Sequence, residues 1–185
     1  MALTKYAKGC SKNVPGNSRI FFAEIGNIDT ITLTSGAISD ITMATSTKFM
    51  EFGAEIDSVQ LTQEGKGKWA YSEVKKLVAK FAKKTPTLVS AKNALVDAVV
   101  CGVAIIRIDN NGCCWLSGWD TVNQKKRPYN QIDVNFDSGT KISDEEGNML
   151  TITLTCESTE DEIPFDTTLT ATIVGGTATF IDYNS

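Results

Sequence analysis

Val103-Ala104-Ile105-Ile106-Arg107-Ile108-Asp109-Asn110-Asn111-Gly112-Cys113-Cys114-Trp115-Leu116-Ser117-Gly118-Trp119 is the stretch that decides the fold class. Two apolar runs, Val103 to Ile108 and Cys113 to Trp119, flank Asp109-Asn110-Asn111-Gly112. Those four residues tolerate positive φ and bond to their own backbone, so the whole predicts a β-hairpin. Alternation along the second strand sends Cys113 and Cys114 to opposite faces, so the two thiols cannot chelate one ion together.

Working upstream, Gly102 closes a helix whose start is equally legible. Thr85 can cap free amides and Pro86 suits the first helical position, where its missing donor costs nothing. Leu88, Ala91, Leu95 and Val99 recur at spacings of three and four, and Val89, Val96 and Val100 widen that stripe. Lys92, Asn93 and Asp97 are left for water. Residues 69–82 fit two periods: Val74, Leu77, Val78 and Phe81 a helical one, Trp69, Tyr71, Leu77, Ala79 and Phe81 an extended one. Short β-branched or aromatic runs precede them, at Arg19 to Ile25, Thr30 to Leu33, Ile38 to Met43, Lys48 to Phe52 and Ile56 to Thr62.

Downstream, Thr121 to Asn130 is irregular, and strands are expected at Gln131 to Phe136 and Met149 to Cys156. Between them lie turns at Asp137-Ser138-Gly139 and Ser143 to Asn148. Thr168 to Val174 and Thr177 to Asp182, joined by Gly175-Gly176, predict a final hairpin at 168–182. The fold class is therefore α+β: a mainly antiparallel β-sandwich or barrel with one packed α-helix at residues 86–100. Residues 1–18 read as an N-terminal arm, and residues 19–185 as a single β-rich domain that includes the C-terminal hairpin.

Composition narrows the function classes. The chain has 185 residues, 18 basic and 22 acidic, for a net charge of -4, which offers no general attraction to phosphate. It contains no histidine, the usual general base and metal ligand. Cys10, Cys101, Cys113, Cys114 and Cys156 form no Cys-x-x-Cys pair, so they are read as reduced packing residues. The opening Met-Ala-Leu-Thr-Lys-Tyr lacks a signal-peptide layout, and no apolar run approaches the ~20 residues that span a bilayer. The expectation is a soluble product with no membrane partner.

Each candidate site also has a plainer use. Asp109, Asn111 and Gly112 lack the spaced ligands and closing glutamate of a calcium loop, so a turn is expected. Asp144, Glu145 and Glu146 form an acidic turn that is more simply solvated than metal-bound. Gly65-Lys66-Gly67-Lys68 is not a full phosphate-binding loop. Lys75, Lys76, Lys80, Lys83 and Lys84, and separately Lys125, Lys126 and Arg127, suit an outer face or a seam between subunits. No nucleophile and base pair stands out, so catalysis, cofactors and metals are not expected.

The ordered features resemble the tail-tube-like major tail proteins of long-tailed bacteriophages and prophages. The resembling segments are Ile41-Thr42-Met43, Lys48-Phe49-Met50-Glu51-Phe52, Trp69 with Tyr71, the Thr85-Pro86 helix, and Ile105 to Gly112 with Trp115-Leu116 and Gly118. They continue in Ser138-Gly139-Thr140, Asp144, Gly147-Asn148, Leu150-Thr151-Ile152-Thr153-Leu154 and Pro164-Phe165. The resemblance covers roughly Arg19 to Phe165 in consistent order. The resemblance implies a strand for residues 69–82. It also implies a structural virion protein that forms six-subunit rings stacked head to tail into a tube for DNA.

On that reading the partners are copies of the chain and other virion tail proteins, with double-stranded DNA only as passing cargo. The location is the virion tail, after synthesis in the host bacterial cytoplasm. An acidic bore would repel phosphate, and Asp137, Asp144, Glu145 and Glu146 are the residues expected to line it. Lys5 and Tyr6 in the arm, with Lys125, Lys126, Arg127 and Tyr129 in the irregular loop, are the expected inter-subunit contacts. The basic Thr121 to Asn130 stretch and the hairpin after Phe165 depart from the family's pattern. Two alternatives stay open: a head-tail connector, stopper or capsid-decoration protein, and a carbohydrate-binding adhesive sandwich using Trp69, Trp115 and Trp119.

Overall fold

The computed structural model describes residues 16–54, 58–67, 72–82, 85–121, 124–137 and 149–183. In chain order its elements are β1 (Asn17–Glu24), β2 (Ile28–Thr34), β3 (Ala37–Met43), β4 (Phe49–Phe52), β5 (Gln60–Lys66), β6 (Ser72–Ala82), α1 (Pro86–Cys101) and β7 (Val103–Asp109). They continue with β8 (Cys114–Ser117), β9 (Trp119–Asp120), β10 (Lys125–Lys126), β11 (Gln131–Asp137), β12 (Met149–Ser158), β13 (Ile163–Pro164), α2 (Thr167–Val174) and β14 (Ile181–Asp182). The fold is α+β and dominated by strands. Residues 72–82 are extended, whereas residues 68–71 lie outside the described residues.

A six-stranded sheet runs β13-β8-β7-β1-β4-β14 and a four-stranded sheet runs β11-β12-β6-β5, with β2-β3 and β9-β10 as separate ladders. Among the described residues no sheet closes into a barrel. The centre of the molecule is β1, whose Ile20-Phe21-Phe22-Ala23 is buried throughout. Period two explains how. Ile20 and Phe22 pack with Ile105, Leu77, Phe81, Ile152 and Leu154, and with Leu95 and Val99 of α1. Phe21 and Ala23 face the opposite core, with Ile106, Ile108 and Leu116, Ile31, Ile38 and Ile41 of the β2-β3 ladder, and Ile173 of α2. The six-stranded sheet is thus covered on both faces, which is why β1 and β7 read as unbroken apolar runs.

The helix α1 forms as its sequence dictates: Thr85 Oγ1 accepts from Leu88 N at 3.1 Å, and Pro86 occupies the first position. Its buried stripe is narrower than the spacing predicts, because Val100 is 84% exposed. Gly102 ends it at φ +90°, and a Cβ there would sit 2.6 Å from the Pro128 ring. Glycine is required both by conformation and by space.

The C-terminal segment corrects the expectation of a hairpin at 168–182 and of a single helix. Asp166 caps α2 by accepting from Leu169 N at 2.7 Å, and Leu169 and Ile173 turn inward. The threonine-rich run suggested a strand, but capping and burial of one face outweigh that weak propensity. After Gly175-Gly176 the chain returns as β14, parallel to β4.

Candidate assembly surface

The edges of the two sheets are unlike. The six-stranded sheet ends in β13 and β14, each two residues long, and β13 carries Pro164, which has no N–H to offer a neighbour. The four-stranded sheet ends in β5 and β11, each seven residues long, and among the described residues no further strand pairs with either. On the inward side of β11, Ile132 and Phe136 are half-buried and Val134 is 36% exposed, a strand only partly covered on its apolar side.

Register fixes what the outer face of this sheet presents. Gln131, Thr155, Lys76 and Thr62 lie in one row, Asp133, Thr153, Val78 and Gln60 in the next, and Asn135, Thr151 and Lys80 in a third. The opposite face of β12 holds the buried Leu150, Ile152, Leu154 and Cys156. Among the described side chains of the outer face, the carboxylates of Asp133, Asp137, Glu64 and Glu157 outnumber the amines of Lys76 and Lys80. The described part of this surface is polar and mildly acidic.

Of the four expected bore residues, Asp137 is exposed at the end of β11 on this face. Asp144, Glu145 and Glu146 lie outside the described residues, as do Lys5 and Tyr6. Lys125 and Lys126 are exposed in β10, paired with β9, and the Lys126 amine lies 5.8 Å from the Trp119 ring centroid. Arg127 pairs with Asp120 at 3.3 Å. Tyr129 is fully buried and corrects its assignment as a contact between subunits. Its hydroxyl bonds Ser117 at 2.9 Å, its backbone exchanges bonds with Val103, and burial pushes its hydroxyl pKa well up. Residues 124–130 therefore form less a free loop than a strap, pinned at 125–126 and at 129.

Lys75 is a second correction. Expected on a lysine-rich face, it points into the molecule, fully buried, beside its cross-strand partner Cys156. Its Nζ has no hydrogen-bond partner among the described residues. Around it lies a polar knot that joins the two sheets. Arg107 grips Glu162 through Nε at 2.9 Å and through its terminal nitrogen, and donates to Asn17 Oδ1 at 2.8 Å. Asn17 in turn donates to the Val59 carbonyl. Buried Asp120 accepts from Ser158 and Thr159. Burial raises the Glu162 pKa more than Arg107 and Lys75 lower it. Sequence reasoning missed this knot because its members are scattered along the chain. Only Arg107 and Lys75, charges at inward positions of apolar strands, gave a signal.

Comparison with protein-family models, with curated proteins and with solved structures found no match to this chain.

The remaining candidates resolve plainly. Asp109 Oδ1 accepts from the Asn111 and Cys113 amides and Oδ2 from the Trp115 indole, so the carboxylate builds a turn. Trp119 is buried and Trp115 is half-buried with the Arg107 guanidinium 5.6 Å from its ring centroid, so neither offers an open stacking face; Trp69 lies outside the described residues. Among the described residues no group of three or more potential metal ligands converges. No described helix is long and apolar enough to cross a membrane, which says nothing of strands.

Proposed function

We propose that the chain is a structural subunit that joins copies of itself edge to edge into rings, as in the tube of a bacteriophage tail. The observation that carries this reading is the pair of long edge strands, β5 and β11, of a sheet of four antiparallel strands, with which no further strand pairs among the described residues. In such a sheet the first and last strands run in opposite directions. A copy generated by rotation about an axis along the strands therefore sets its β5 antiparallel to the neighbouring β11, and one continuous antiparallel sheet results. Ring closure leaves neither edge of that sheet exposed, which would account for a protein that tolerates two long edges.

The outer face then becomes the wall of a bore. Its threonines, amides and surplus carboxylates would line a path for DNA without gripping it, since like charge repels phosphate. Six subunits per ring, stacking into a tube and a place in a virion rest on the family resemblance. A connector or stopper ring would use the same edges.

Electron microscopy of the purified chain tests the reading: hollow tubes or rings are expected, and tubes distinguish a tail tube from a connector. Val134→Pro and, separately, Asn135→Pro test it, since alternate residues of an edge strand turn their N–H outward: the variant that keeps the native circular dichroism is expected to yield single subunits. Rings that form as before in that variant would sink the edge-to-edge joint.

A further inference from the structure

We propose that one flank of α1, formed by Val89, Val96 and Val100, covers the inner side of β5 of the neighbouring copy. The proposal rests on the edge-to-edge reading and names what lies over its seam. Helix geometry places the flank. At roughly 100° per residue, Leu88, Leu95 and Val99 share one direction, and these side chains pack into the core beneath α1. Ala94 and Ala98 lie to one side of them and meet Phe22, Met50 and Phe52 of the β1-β4 pair across a groove. Val89, Val96 and Val100 lie to the other side. Since α1 packs against β1 and β11, the valine flank is the one turned toward β11. Val89 and Val96 are half-buried there, and Val100 is the exposed valine noted above.

The flank continues the apolar side of β11, formed by Ile132, Val134 and Phe136, along the edge with which no described strand pairs. Val103 follows α1 and bridges to Tyr129, which precedes β11, so Val100 lies toward the Gln131 end and Val89 toward Asp137. A strand added at β11 turns alternate side chains to this strip. For β5 those residues are Leu61 and Gln63, opposite the buried Leu77 and Lys75, with Gly65 next in line. Both edge strands have seven residues, and inward meets inward along all seven when Leu61 faces Phe136, Gln63 faces Val134 and Gly65 faces Ile132. Leu61, half-buried in the single chain, then enters the space between Phe136 and Val89. Gly65 brings no side chain to hold Val100 away. Within one chain β5 and β11 are three strand spacings apart, about 14 Å, so the contact joins two copies.

Disulfide trapping tests this in the full chain with Cys10, Cys101 and Cys113 replaced by serine. One variant carries Leu61→Cys with Val89→Cys. A control carries Leu61→Cys with Ala94→Cys, on the opposite flank of α1. A third carries Gln63→Cys with Val134→Cys and reports the strand pairing itself. On oxidation the first is expected to form covalent multimers about tenfold or more faster than the control. No excess over that control overturns the proposal, and so does a bond between positions 61 and 89 that closes within one chain, as it would if the flank met its own β5. Multimers linked through positions 63 and 134, without that excess, remove the helix from the joint and leave the edge-to-edge reading standing. Multimers linked through 61 and 89, with none through 63 and 134, keep the helix contact and remove the strand pairing.

Discussion

At the scale of single residues, chemistry separates the cysteines. Burial pushes the Cys114 and Cys156 thiols up to about 11, whereas Cys101 and Cys113 are exposed. Iodoacetamide at neutral pH should modify Cys101 and Cys113 quickly and leave Cys114 and Cys156 intact until the chain unfolds, as read by peptide mass. In the knot, Arg107→Ala strands a buried carboxylate and is expected to cost about 3–5 kcal/mol in urea unfolding. Glu162 has a folded pKa above its ordinary value, so its protonation favours the fold. Its contribution is complete below the unfolded pKa and is lost as pH rises through the folded one. Acidification from neutral pH should therefore widen the stability advantage of the native protein over Glu162→Gln; a gap that narrows contradicts the burial of that carboxylate. Little of this was legible beforehand: Arg107 and Lys75 stand out as charges within apolar strands, but where each points follows only once the strand's partner sheet is known.

Elements were legible where one local rule dominates. The hairpin of β7 and β8 follows from its turn residues and α1 from its cap, and both form where the chain predicts them. The second hairpin strand nevertheless ends early. Gly118 adopts φ +103°, and a Cβ there would lie 3.1 Å from Ala104 Cα, so the chain breaks from β8 and is re-aimed into the strap ladder. Gly118→Ala should cost about 1–3 kcal/mol, with loss of protection of the Lys125 and Lys126 amides in hydrogen exchange. The final helix was misread because threonine favours strands and the Asp166 cap is a single residue. Asp166→Ala is expected to lower stability by about 1 kcal/mol, seen in thermal unfolding.

For the whole molecule, the α+β class was readable from alternating runs around one capped helix, whereas the pairing order of the strands depends on contacts distant in sequence. Of the residues expected in the bore or at contacts between subunits, Asp137 and the Lys125 to Arg127 stretch have a described position outside the core. Val134→Lys places a charge on the partly covered side of β11 and should block association while leaving the monomer's circular dichroism unchanged, measured by sedimentation. The opposite directions of β5 and β11 have one more consequence. If copies join through those strands, a partly built arc finishes in one strand of each kind, so its two tips suit each other. Such an arc closes once its curvature brings the tips together, and the angle at a single joint then sets how many subunits the circle holds.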